Sequence, residues 1–151
     1  MRRAHSIHEM REYLERCTED KEIVPTVIAR LREQKYLDDA RYALDFARVH
    51  AQSRRQGRFR IIRELRTRGV PDCLIDTALD AVFAETDEAT LVRARIKRHL
   101  SMMDGELDRR KTAGLYRSLL RAGFSTDIIR AQLLYLTGAD VPSAPDSPEE
   151  P

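Results

Sequence analysis

Arginine is the residue around which any chemistry in this sequence has to be built. The stretch Arg54-Arg55-Gln56-Gly57-Arg58-Phe59-Arg60-Ile61-Ile62-Arg63-Glu64-Leu65-Arg66-Thr67-Arg68 holds seven arginines and one acid. A guanidinium is a planar fork that fits phosphate or carboxylate bidentately. Each phosphate it neutralises also releases counterions, so such binding weakens steeply with salt. On a helix, Ile61, Ile62 and Leu65 share one face, Arg60 and Arg63 point away from it, and Arg66 flanks it. Arg54, Arg55 and Arg58 gather around Gly57. Arg greatly outnumbers Lys throughout the chain, so a merely solvated arginine-rich surface is the bland alternative. The near absence of acids favours contact with an anionic partner, because ordinary exposed helices mix signs. A second basic group is Arg93, Arg95, Lys97 and Arg98, followed by Arg109, Arg110 and Lys111. Lys97 and Arg98 should lie away from the stripe of Val92, Ile96, Leu100 and Met103. Here Asp104, Glu106 and Asp108 dilute the charge.

Catalytic patterns are wanting. His5-Ser6-Ile7-His8 has the H-x-x-H form, but no further ligand stands at a useful spacing for a metal. His50 falls on an apolar helical face and reads as a packed core residue. Asp38 and Asp39 read as helix-start residues, one as N-cap and one favoured by the positive helix end. There is no phosphate loop of the G-x-x-x-x-G-K-[ST] type, no G-x-G-x-x-G and no nucleophile elbow. No enzyme activity, cofactor or metal is therefore expected. Tyr36, Tyr42, Phe46 and Phe59 are expected in the core rather than as stacking platforms for bases.

The elements that must carry the arginines are helices. Ser6 with Glu9 three residues on is a capping box, and Ile7, Met10 and Leu14 follow at helical spacing. A helix is expected from about Lys21 to Gln34, with Pro25 in its first turn, where a missing N–H costs little. Asp38 starts a longer one to about Arg54, burying Ala43, Phe46, Ala47 and His50. Others are expected at about 58–68, 72–84, 88–102, 109–121 and 126–138, with Gly69 and Gly123 as left-handed stops.

Overlaying these segments reveals a repeat. Ile61, Leu65, Gly69, Val70, Leu74, Ile75 and Leu79 recur 54 residues later as Leu115, Leu119, Gly123, Phe124, Ile128, Ile129 and Leu133. A fainter copy, shifted back by 51, is Met10, Leu14, Thr18, Glu19, Ile23, Val24 and Ile28. The expected architecture is all-α: tandem three-helix, helix-turn-helix-like units forming an elongated array. Residues 37–85 form the second unit and 86–138 the third. Residues 1–36 form a first unit whose long helix would lie before Met1. Residues 139–151, with four acids and four prolines, are expected to be a disordered acidic tail.

Composition agrees with this organisation. Hydrophobic residues at 42% and charged residues at 34% supply a core and argue against wholesale disorder. Net charge is +2 overall, but removing the four tail acids leaves 27 bases against 21, or +6, on the rest. Cys17 and Cys73 lack the paired spacing of a zinc site. No export signal or run of about 20 apolar residues is present, so a soluble, cytoplasmic, monomeric protein without a membrane is expected.

Taken in order, these residues resemble the RecX family, bacterial regulators of the RecA recombinase. The resemblance is carried by Ala4-His5-Ser6, by Leu37-Asp38-Asp39-Ala40-Arg41-Tyr42-Ala43, and by Arg55-Gln56-Gly57 with Arg60-Ile61, Glu64-Leu65 and Gly69-Val70. It continues through Leu119 to Ile129 with Arg121-Ala122-Gly123-Phe124, and covers about residues 4–136. Family members usually carry another helix before the Ala-His-Ser motif. The resemblance implies tandem three-helix repeats that bind in the groove of the RecA–DNA filament. It implies inhibition of filament extension, strand exchange and co-protease action, within DNA repair, homologous recombination and the SOS response. Arg54, Arg55, Arg58, Arg60, Arg63, Arg66 and Arg68, with Arg95, Lys97 and Arg98, are then the expected contacts to RecA or to single- or double-stranded DNA. The rival reading is a stand-alone helical nucleic-acid-binding protein.

Overall fold

The computed structural model describes residues 4–138; the expected acidic tail at 139–151 lies outside them. The described chain is helical throughout: α1 (Ile7–Cys17), a 3₁₀ turn (Lys21–Ile23), α2 (Val24–Glu33), α3 (Asp39–Gln52), α4 (Arg58–Thr67), α5 (Asp72–Glu85), α6 (Glu88–Ser101), α7 (Arg109–Arg121) and α8 (Thr126–Thr137).

Side chains at the helix starts explain these boundaries. Ser6 and Glu9 form the reciprocal capping box. Asp38, Asp87, Asp108 and Ser125 each accept a backbone N–H of their own first turn. Such a cap contributes about 1 kcal/mol by satisfying a donor that the helix itself leaves open. At the other end, Gly69 (φ 70°) and Gly123 (φ 93°) take the left-handed conformation. The next residue then turns back: Val70 N–H reaches Leu65 O at 3.2 Å and Phe124 N–H reaches Leu119 O at 3.4 Å. Both side chains are buried, which completes the glycine stop.

The two long helices each lie against the last helix of their triplet, α3 on α5 and α6 on α8, with α4 and α7 filling the third side. Ala43, Ala47 and Ala51 are wholly buried on α3. A row of methyl groups four residues apart lets α5 approach closely. The matched repeat positions Ile61 and Leu115, Leu65 and Leu119, Ile75 and Ile129, and Leu79 and Leu133 are all buried, and helices α3 to α8 share one continuous core. A smaller core of Val24, Ile28 and Leu37 is flanked by Ile7, Met10, Leu14 and Leu31. Two aromatic expectations fail. Tyr42 is buried and Phe46 half-buried, but Tyr36 is 75% and Phe59 59% exposed. Tyr36 follows a left-handed Lys35 (φ 59°) that turns the chain outward. Phe59 sits opposite the buried face that Ile61 and Leu65 define.

The same joint occurs twice. The start of α1 abuts the end of α4, and the start of α4 abuts the end of α7. In the first joint, Ser6 Oγ donates to Arg68 O at 2.6 Å, and Ile7 N–H donates to Asp39 Oδ1, the first residue of α3, at 2.8 Å. In the second, Gly57 N–H donates to Ala122 O at 2.8 Å and Phe59 N–H to Gly123 O at 3.0 Å. Arg58 N–H donates to Glu88 Oε1, from the first residue of α6, at 3.1 Å. A positive helix start thus meets a negative helix end, and an acid from the next long helix holds the first amide. Gly57 has an ordinary φ of −84°. It is glycine because a Cβ there would collide with the Gly123 carbonyl. Asp39, expected only to favour its own helix, is therefore a bridge to α1.

Candidate functional site

The structure divides the arginine stretch into two populations. Arg58 pairs with Asp80 at 3.1 Å and lies over the Phe83 ring at 5.1 Å. Arg60 pairs with Glu64 at 2.9 Å, and Arg66 makes a two-pronged contact with Asp72 at 2.8 and 3.3 Å. Arg68, only 23% exposed, lies 4.7 Å over Phe46, donates to the Glu64 carbonyl at 2.8 Å, and faces Glu9 and Glu64 carboxylates at 3.9 and 4.0 Å. These four are spent largely on the fold. Acids scarce within the stretch itself reach it in the fold, because Asp72, Asp80 and Glu9 arrive from other helices. Arg54, Arg55 and Arg63 make no ion pair among the described residues.

Beneath the ridge lies a buried polar node. His50 Nδ1 donates to Gln56 Oε1 at 2.6 Å, and its ring stacks on Phe46 with centroids 3.8 Å apart. Burial holds the His50 pKa below its ordinary value, and the nearby Arg54 and Arg68 charges add to this, against the Gln56 hydrogen bond and Glu64. Glu64 is pushed up by burial, but the Arg60 hydrogen bond with the charges of His50, Arg60 and Arg68 outweighs this and holds its pKa low. His50 is thus the packed histidine expected from its position. His5 and His8 instead face Glu9 and Glu12 one turn on. Cys17 and Cys73 are free and exposed.

The second population converges. Where α3 ends, the chain turns through Arg55 in the left-handed region (φ 50°), a conformation costing a non-glycine residue about 1 kcal/mol or more. That turn sets Arg55, with the Arg54 carbonyl beside it, opposite Arg95, Arg98 and His99 of α6 across a cleft of about 340 Å3, closed on the α7 side by Ser118 and two leucines, while the Arg54 charge acts on His50. Among the described residues no carboxylate lines it. Among the described residues Arg95 reaches Arg54 O, at 3.4 Å, and its Nε, like that of Arg68, is buried without a hydrogen-bond partner. Burial, then the charges of Arg60, Arg55 and Arg98, hold the Arg95 guanidinium below the usual arginine range. A shallower groove beside it is lined by Arg60, Arg63, Glu64, Leu120 and Arg121. Lys97 is exposed and outside both. The sequence pattern does not single out His99, Ser118 or Arg121 as lining residues. Only the first has a local signal, standing next to Arg98.

Known proteins share both the sequence and the fold. A family model described as RecX, second three-helix domain, matches residues 38–79. A protein of Halorhodospira halophila named regulatory protein RecX is 38% identical over 131 residues, spanning 86% of this chain and 78% of that protein. The Bacillus subtilis protein of the same name is 31% identical over 134 residues, but the chain spans only 49% of it; for the Halalkalibacterium halodurans relative the figure is 53%. The crystal structure of RecX from Lactobacillus salivarius superposes with a TM-score of 0.76 at 20% identity, covering 89% of this chain and 86% of that one. A second crystal structure, of regulatory protein RecX, gives 0.71 at 22% identity, covering 90% and 64%. At these identities the structures speak for the fold alone. No helix among the described residues is long and apolar enough to cross a membrane.

Proposed function

The chain belongs to the RecX family of regulatory proteins, and on that premise we propose that it binds the RecA–DNA filament and restrains RecA, without catalysis of its own. The carrying observation is the 38% identity across 78% of a RecX protein. The acid-free arginine cleft supports it, because guanidiniums without internal partners remain available to an anionic filament. In this reading the chain acts in the cytoplasm as a monomer. It is organised in units at 1–36, 37–85 and 86–138, laid along the filament one after another. Arg54, Arg55, Arg63, Arg95 and Arg98, with Lys97 beside them, make the contacts, while Arg58, Arg60, Arg66 and Arg68 hold the surface in shape.

The test is RecA ATPase on single-stranded DNA with added wild-type chain or an Arg54→Glu, Arg55→Glu, Arg98→Glu triple variant. Wild type should inhibit, and the folded variant should inhibit much less. Absence of inhibition by wild type refutes the filament reading. Equal inhibition by the variant refutes the role of the cleft. The alternative, a stand-alone nucleic-acid-binding protein, is favoured by the fact that the cleft is complete within this chain. It predicts tight, sequence-dependent DNA binding without RecA.

A further inference from the structure

We propose that the groove at the seam between the first and second triplets is a docking site for a partner protein, and that it takes an acidic segment carrying one bulky apolar side chain. This does not depend on the filament reading, because the groove lies apart from the arginine cleft. Its lining includes Asp38, Asp39 and Ala40 at the head of α3, whereas the cleft takes Ser53 to Arg55 beyond the tail of that helix. The 14 residues of α3 separate the two, about 20 Å at 1.5 Å a residue, so both can be occupied at once.

Three observations converge. First, the floor of this space of about 830 Å3 is apolar. Ile7 and Leu37 belong to the smaller core and Leu74 to the larger. Ile7 and Leu74 are only half-buried. An apolar side chain lowered between them would take the rest of their surface out of water, which is favourable, and would bridge the two cores. Second, small residues keep the groove open. Ala29 and Ala40 line it and are exposed. Gly69 is left-handed, and a Cβ there would strike His8. Third, the rim carries separated cations. Arg11, Arg32 and Lys35 are exposed and make no ion pair among the described residues; Arg32 is near enough to act on Asp39 without pairing with it. The Asp38 and Asp39 carboxylates each accept a backbone N–H and face the positive start of α3, which leaves Glu33 as the remaining acid of the lining. Cations set apart around an apolar floor match single carboxylates flanking an anchor residue, the helix-in-groove or strand-in-groove manner of peptide recognition. A phosphate backbone has no apolar body to seat on Ile7 and Leu74, and it would meet Glu33, Asp38 and Asp39 at the mouth.

The experiment uses the full chain and a pool of fluorescein-labelled decapeptides with Leu, Phe or Met at the centre and Asp or Glu on either side, read by fluorescence anisotropy. Wild type should bind this pool. A pool with Ser at the centre, or with Lys in place of the acids, should bind at least tenfold more weakly. Ala29→Trp fills the groove from an exposed helical position and should weaken binding at least tenfold; the Arg11→Glu, Arg32→Glu double variant should do so at least fivefold. Thermal melts establish that each variant is folded. Arg98→Gln, in the arginine cleft, should change nothing. A synthetic peptide of residues 139–151, acidic but with Val141 as its largest apolar side chain apart from proline, should bind at least tenfold more weakly than the pool. No binding by wild type would overturn the proposal, as would undiminished binding by folded Ala29→Trp, or Ser-centred or Lys-flanked peptides binding as well as the acidic pool. Tighter binding of the 139–151 peptide would overturn it in favour of the chain's own tail. Self-association in sedimentation that Ala29→Trp abolishes would overturn it in favour of a second copy.

Discussion

Replacing Gly57 by alanine tests the joint between α4 and α7. At φ −84° alanine fits the backbone, so any cost must come from contact. The new Cβ would lie well within 3 Å of the Gly123 carbonyl carbon and oxygen and of the Phe124 nitrogen. All three are main-chain atoms that no rotamer change can move. The α4 start must therefore lift away, weakening the bonds from Gly57 to Ala122 and from Phe59 to Gly123. Two such bonds contribute about 0.5–1.5 kcal/mol each, and overpacking adds about 1–3 kcal/mol. Reduced freedom of the unfolded chain returns about 0.4–1 kcal/mol. The net expectation is a loss of about 2–4 kcal/mol, or roughly 5–15 °C in Tm for a chain of this size. The control is Gly114→Ala within α7, where a Cβ meets nothing within 4 Å. There the same change should stabilise by about 0.5–1 kcal/mol. Urea denaturation followed by circular dichroism measures both, and hydrogen exchange at the α4 start locates the effect. If both variants shift stability in the same direction, or Gly57→Ala costs under about 0.5 kcal/mol, the joint is not close-packed as described.

Acidification should weaken the fold in two steps. With its folded pKa depressed, His50 leaves the unfolded chain binding more protons, so stability is full above about 6.5 and falls as pH drops below it. Glu64 adds a second loss below about 4.5, where burial of Asp39, whose pKa is raised, works in the opposite sense. Urea midpoints at stepped pH values should show the first decline, and it should vanish in His50→Leu. Arg68→Ala should cost about 2–3 kcal/mol, since it removes a half-buried guanidinium from Phe46 and the Glu64 carbonyl, while exposed Arg63→Ala should stay within about 0.5 kcal/mol; equal midpoints would erase the division into structural and available arginines. Asp39→Ala leaves the Ile7 N–H without its acceptor. Exchange should rise at the start of α1 for a cost of about 1–2 kcal/mol, with α6 to α8 unchanged; protection throughout α1 would show the bridge to be idle.

Helix positions are legible because their causes are local. Ser6, Asp38, Asp87 and Ser125 announce helix starts within three residues of the amides they bind. Gly69 and Gly123 announce ends, and the spacing of Ile61, Leu65 and their counterparts announces the buried face. What escapes the sequence is tertiary. Nothing near Arg58 or Arg66 says that Asp80 and Asp72 will neutralise them, and nothing near Ser118 says that it will stand across from Arg55. Gly57 has the look of a turn residue; its reason lies 66 residues away at Gly123. Arginines can be counted in a sequence, but only the fold decides which guanidiniums keep their charge for a partner.

Successive triplets are fastened at helix ends by a few hydrogen bonds to main-chain atoms, with an acid from the head of the next long helix as the latch. Such a connection asks for a small residue at the helix start and an acid two helices on, both carried within the repeated unit, so a duplicated gene segment arrives already able to fasten onto its parent. Growth by tandem duplication then needs no newly invented interface, and surface residues are left free to diverge from copy to copy. Relatives of which this chain spans only about half are what a lineage able to lengthen in this way can produce.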